Sequence, residues 1–232
     1  MSTIQEAAIL SKLRSRGYWR FEIRPTTFQE KRIALIGDLL PIIDRNSVQY
    51  RGWDYPHVDH SRPPLRGADW VGQEYDCEDQ IEVWRFYQSG LFLHYLAIAG
   101  DWRDLSTFCP AEPGWAPLRD IDYLNTIYEL MEIFEFAARL ALSPAGASPM
   151  HVEIDLEHLE NRRIMTTSRD IFLRSEYRIQ MPRWNHRWEG SQTDLIARPR
   201  ELAALAAQDF FARFGLNVTL ASLIELQKRI SP

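Results

Sequence analysis

The densest grouping of side chains able to do chemistry is SVQYRGWDYPHVDH, residues 47–60, which holds Tyr50, Arg51, Trp53, Asp54, Tyr55, His57, Asp59 and His60. Imidazole and carboxylate together suit zinc, manganese or iron. Asp54, His57, Asp59 and His60, with His94 reaching across from a later strand, therefore form a candidate metal set, and with it a metal-dependent hydrolase or nuclease. Spacing weighs against this set. In an extended chain His57 and Asp59 share a face while His60 points away, and no helical H-x-x-x-H or H-E-x-x-H follows. The other reading of the same residues is a strand end whose Arg51, Trp53 and Tyr55 form a binding lip.

Two charged stretches come next. Asp69, Glu74, Asp76, Glu78, Asp79 and Glu82 fall within residues 69–82 with no base among them. Paired carboxylates hold Mg²⁺ in phosphodiester cleavage, but the acid followed by E-x-K of restriction-type nucleases is missing. The stretch reads better as a solvated acidic face that attracts arginines. Residues 161–188 are the opposite, with seven arginines against Asp170 and Glu176. Arg174, Arg178, Arg183 and Arg187 alternate there with Trp184 and Trp188. Arginine interleaved with aromatic rings is how single-stranded nucleic acid is held without reading its sequence. The same two residue types dominate protein interfaces. A third reading turns the aromatics into the core and pairs the arginines with the acidic stretch.

The elements that position these residues follow from periodicity. Ser2 or Thr3 caps a first helix running to about Leu13. In YWRFEIRP, Trp19, Phe21 and Ile23 alternate with Arg20, Glu22 and Arg24, a half-buried strand. Gln29 to Asp44 has helical spacing, bent or restarted at Pro41. Val48 to Tyr55 and WVGQEYD read as strands, and IEVWRFYQSGLFLHYLAIAGDW as a hairpin turning at Gly90. A long apolar helix spans about Asp120 to Leu142. MHVEIDLEHL, RRIMTT and SEYRIQMPRW read as further strands. Helices begin at Pro199, ending at Gly215, and at the cap Thr219. The class is α+β, a mainly antiparallel sheet covered by the long central helix and the C-terminal helices. Residues 1–232 read as one domain, and 143–149 is where a sub-boundary would fall.

Composition excludes more than it selects. The 232 residues carry a net charge of −5, which argues against a whole-molecule binder of nucleic acid or anionic membrane. No apolar run reaches the ~18 residues of a membrane span. Cys77 and Cys109 make no disulfide framework, which fits a cytoplasmic protein. Only three of the 27 basic residues are lysine. Arginine suits phosphate and carboxylate, but a GC-rich genome produces the same bias. Phosphate-cradling glycine loops and the G-x-S-x-G elbow are absent, and no cofactor is implied.

The blocks FEIRPTTF, RGWDYPHV, EVWRFYQSGLFLH and MEIFEFAARLAL resemble a family of poorly characterised bacterial proteins. In that family the corresponding module stands alone or follows a Schlafen-type AlbA DNA-binding domain. The likeness runs from about Trp19 to Phe214 and carries no catalytic residue across. It implies a bacterial cytoplasmic protein acting near nucleic acid or within a multi-gene system. The AlbA-type domain itself is not evident in the chain. The expectation is a non-catalytic binding or accessory module that contacts nucleic acid or a protein through its aromatic and arginine face. The alternatives are the metal-dependent enzyme and a self-associating structural subunit.

Overall fold

The structure, a computed structural model, describes residues 8–231; the expected cap at Ser2 or Thr3 lies outside the described residues. In chain order the elements are α1 (Ala8–Leu13), β1 (Tyr18–Pro25), α2 (Leu39–Asn46), β2 (Leu65–Arg66), β3 (Trp70–Cys77), β4 (Gln80–Tyr87) and β5 (Phe92–Ala97). There follow β6 (Asp120–Asp122), α3 (Tyr123–Leu142), β7 (Met150–Glu157), β8 (Arg163–Met165), β9 (Arg183–Gly190), α4 (Gln192–Ala197), α5 (Pro199–Ala212) and α6 (Leu220–Ile230). Short 3-10 turns occupy Ile36–Asp38 and Ala99–Trp102. The class is α+β. Seven strands form an antiparallel sheet in the order β2-β3-β4-β5-β1-β7-β9, and β6 pairs with β8 in parallel beside it.

Side-chain alternation divides this sheet into two faces. Trp19, Phe21 and Ile23 register against Leu96, His94 and Phe92 on one side and Leu156, Ile154 and Val152 on the other. This inner face is covered by α3 and α5; the Phe136 ring lies 4.8 Å from Phe92, and Phe210 lies 5.0 Å from Trp184. The core cluster draws residues from Trp19 to Leu223, on both sides of 143–149. The outer face is polar on β1, β7 and β9. Only at the β4–β5 end is it apolar, where α1 lays Leu10 and Leu13 over Ile81, Val83 and Tyr95. No helix among the described residues is long and apolar enough to cross a membrane.

Several elements differ from expectation. Val48–Tyr55 is not a strand: the two end residues bond each other through both N–H groups at 2.8 Å, and Gly52 (φ 79°) turns the chain back. Glycine reaches that left-handed conformation at no steric cost. Helix α2 starts later than the periodicity suggests and accommodates Pro41 in its first turn, where no intrahelical N–H is needed. In SEYRIQMPRW only Arg178 bridges, to Arg163. The strand begins past Pro182, and α4 is an additional helix capped by Ser191, whose hydroxyl accepts from Asp194 N. Asp120–Asp122 is strand rather than helix; α3 starts when the Asp122 carboxylate accepts from Asn125 N at 2.8 Å. The hairpin at Gly90 (φ 85°) and the Thr219 cap of α6 match expectation.

One buried ion pair ties the loops at the sheet's end. Arg162, with no exposed side-chain surface, donates from Nη1 to Asp101 Oδ1 at 2.8 Å and from Nη2 to Asp101 Oδ2. The same carboxylate accepts from Gly17 N and Leu118 N, each at 2.9 Å. A Cβ on Gly17 would strike both members of the pair, which fixes glycine there. Breaking a buried pair from one side leaves a stranded charge. Arg162→Met is therefore expected to lower unfolding free energy by about 3–5 kcal/mol. Arg187→Ala, which breaks a pair to Glu153 whose arginine is mostly exposed, should cost within about 1 kcal/mol. Urea denaturation of both variants checks the contrast.

Candidate binding cleft

Between the end of the sheet and the N-terminal half of α3 lies a cleft of about 970 Å³. Its floor is the inner face of β4 and β5, its sides are α3 and the β6–β8 pair, and its rim is the 51–55 turn and the 98–119 loop. Nine carboxylate side chains line it against four arginines, with Trp53, Tyr75, Phe108 and Trp115 as aromatic walls. Three of those arginines are already paired: Arg51 with Glu129 and Glu132, and Arg119 and Arg163 with Asp120. The cleft therefore keeps a surplus of negative charge.

The centre of the cleft is built on α3. Glu129 and Glu132 stand at i and i+3, on one side of the helix, and the turn at Gly52 brings Arg51 down on them. Arg51 Nη2 donates to Glu129 Oε1 at 2.8 Å and to Glu132 Oε2 at 2.5 Å, and Nε donates to Glu132 Oε1 at 3.1 Å. Its guanidinium lies 5.3 Å from the Tyr128 ring centre. Burial pulls the Arg51 proton affinity down, but the two carboxylates more than reverse this and keep it charged. Burial, reinforced by Glu129 and Glu82, outweighs Arg51 and pushes Glu132 up to about 7. Glu129 Oε2 is buried and has no hydrogen-bond partner among the described residues.

Beneath the turn lies a second polar chain. Glu82 Oε2 stands 2.8 Å from His94 Nε2, and His94 Nδ1 stands 3.3 Å from the Tyr55 hydroxyl. The imidazole thus links the Glu82 carboxylate to the Tyr55 hydroxyl. Burial, with Glu129, Glu132 and Glu82 nearby, holds the Tyr55 phenol protonated well above its ordinary range.

The residues expected to bind are divided by the fold. Arg51 and Trp53 line the cleft, Trp53 stacked on His57 at 4.2 Å. Tyr55 reaches the cleft but is a core residue, 4% exposed, because the turn folds it under. Trp184 is 2% exposed, in the core against Trp19 and Phe210, with its Nε1 donating to Asp209. Trp188 also packs inward. The reason is parity: a strand starting at Arg183 points 184, 186 and 188 in, and 183, 185 and 187 out. Arg183 and Arg187 are exposed but engaged by Asp155 and Glu153, and Arg178 by Glu176. Arg174 is exposed and has no ion-pair partner among the described residues. The aromatic and arginine face is thus split, rings inside and guanidiniums outside. Those arginines do not pair with the acidic stretch 69–82 either; that stretch meets Lys12, Arg85 and His94 instead.

The metal set does not converge. His60 faces Asp44 at 3.3 Å, Asp59 accepts from Ser61, His57 lies between Trp53 and Tyr75, and His94 is enclosed with Glu82 and Tyr55. The turn and the loop after it send these side chains in different directions, and none belongs to a cluster of metal-ligating groups among the described residues. Sequence reasoning missed Glu129 and Glu132. Their signal was there: two acids at i and i+3 inside the otherwise apolar ELMEIF of a core helix.

Chemically the cleft is better suited to holding a cation than to moving a proton. Glu132 has a proton affinity useful at neutral pH, but Arg51 occupies both of its oxygens. Glu129 Oε2 remains unpaired, and an unpaired buried acceptor calls for a donor. Comparison with models of protein families, with curated proteins and with solved structures finds no match.

The Glu132 shift has a definite sign. Its folded value, about 7, lies above the unfolded one. The folded state therefore binds the extra proton, and the contribution is full below about pH 4.3. It is lost as pH rises through about 7. Wild type should lose stability relative to Glu132→Gln between those values, by up to about 1.4 kcal/mol per pH unit. Urea midpoints of both proteins across that range measure the difference.

Proposed function

We propose that the chain is a non-catalytic binding module whose ligand is a small organic cation, an amine or guanidine, held in the acidic cleft. The observation that carries this reading is Glu129 Oε2, buried without a partner in a cleft where carboxylates outnumber arginines nine to four. A ligand N–H⁺ supplies the missing donor and offsets the surplus charge, and charge-assisted hydrogen bonds are the strong ones. Trp53, Tyr75 and Trp115 offer ring faces, which attract cations. The cleft volume matches small-molecule sites.

The resemblance to the bacterial family supports an accessory role in a cytoplasmic multi-gene system. Contact with nucleic acid is the second reading, and its support is Arg174, exposed and unpaired among the described residues.

Isothermal titration with agmatine, spermidine and choline tests the reading, with a single-stranded oligonucleotide as a fourth arm. Agmatine and spermidine should bind, more weakly at high salt. Choline, with no N–H, should bind at least ~10-fold more weakly, a loss of about 1.4 kcal/mol. Glu129→Gln should weaken agmatine by a similar factor. No heat with either N–H cation sinks the reading, and salt-sensitive oligonucleotide binding lost in Arg174→Ala would replace it.

A further inference from the structure

The outer face of the sheet holds a second group of ligating side chains, independent of the cleft. Glu22 on β1 and Glu153 on β7 are direct cross-strand partners, and His151 stands two residues before Glu153 on the same face. One ligand atom from each of the three lies within 4.8 Å of the other two. Two like charges directly opposite each other destabilise a sheet unless something lies between or beside them.

His151 is the unusual member. It is 9% exposed, yet neither ring nitrogen has a hydrogen-bond partner among the described residues. Nε2 stands 3.8 Å from Glu153 Oε2, and Nδ1 stands 3.8 Å from Glu189 Oε2. These separations are too long for hydrogen bonds. The separation to Glu153 is close to the ~3.4 Å between two ligand atoms that share one tetrahedral zinc at about 2.1 Å from each.

The surrounding groups orient the carboxylates. Arg187 Nε and Asn185 Nδ2 both donate to Glu153 Oε1, at 2.6 and 3.0 Å, which leaves Oε2 free on the His151 side. Arg20 and Arg24 hold one oxygen each of Glu22, at 2.7 and 2.8 Å, and every carboxylate oxygen keeps a further lone pair. Outer groups that fix the direction of ligating side chains are a regular part of metal sites.

We propose that Glu22, His151 and Glu153 bind one divalent zinc ion on the outer face of the sheet, with the side away from the sheet open to water. One imidazole and two carboxylates favour a borderline ion over calcium or magnesium. Three neighbouring guanidiniums oppose the added positive charge, so the site binds zinc less tightly than one without them.

The test uses the full chain with Cys77→Ser and Cys109→Ser, because both cysteines are exposed and would bind zinc themselves. The protein is stripped with chelator, then zinc is titrated against a chromophoric competitor at pH 7.5. One equivalent should bind, the His151 ring signals should shift in the NMR spectrum, and magnesium should not compete. His151→Gln should lower affinity at least ~10-fold, with Glu153→Gln doing the same, since even outer-shell changes cost about that much. Melting without zinc checks that both variants remain folded. No zinc binding, or binding unchanged in folded His151→Gln, overturns the proposal and leaves the imidazole to water.

Discussion

The loops at the sheet end of the cleft hang on Asp101 and Arg162. The two are far apart in sequence, and the fold makes them meet with almost no solvent. A buried ion pair is costly unless its remaining donors and acceptors are satisfied. Here they are. Besides each other, Asp101 takes the N–H groups of Gly17 and Leu118, and Arg162 donates to the carbonyls of His158 and Asp120. Four segments are therefore pinned at one point: the head of β1, the 3-10 turn after β5, the approach to β6, and the turn after β7. The long 103–119 connection is anchored at both ends by this one pair. Between those ends Thr107 donates to Glu78 and Trp115 to the Gly100 carbonyl, which hold the loop's aromatics at the cleft rim.

The opposite wall rests on an ion cluster of a different kind. Arg51 satisfies Glu132 fully but Glu129 only by one oxygen. Where Asp101 and Arg162 close their own hydrogen-bond ledger, Arg51, Glu129 and Glu132 leave a negative remainder. The raised proton affinity of Glu132 follows first from its burial, which Arg51 does not outweigh while the neighbouring Glu129 adds to it. A saturated pair makes a wall. An unsaturated cluster leaves a buried acceptor without a donor.

Much of the frame was legible and little of the site was. Gly90 between two aromatic runs declared the β4–β5 hairpin, and the apolar period of 123–142 declared α3, because both signals are local. The turn at 48–55 was misread since alternation and a folded-back loop look alike until Gly52 takes its positive φ. Trp184 was misplaced by strand parity. One uncertain starting residue after Pro182 decides which set of side chains faces the core. His94 and Glu82 were seen separately, as a metal ligand and as part of a solvated run, and became partners only through the β4–β5 register. The Arg51 cluster joins residues separated by five strands, β2 to β6, and no local pattern encodes that.

The arginine-rich stretch shows how local charge and molecular field differ. By count, residues 161–188 are strongly basic. In the fold, Arg162 is buried against Asp101, Arg163 meets Asp120, and Arg183 and Arg187 meet the acids of β7. Their charge is largely cancelled within the chain, for Arg183 and Arg187 across the same β7–β9 register that turns the tryptophans inward. In the cleft the balance is different: nine carboxylates stand against four arginines, three of them already paired. Low-dielectric walls around like charges focus the field into the space between them. A net charge of −5 spread evenly would make only a weak field; nine carboxylates beside Trp53 and Tyr75 make the local field of the cleft more negative than that.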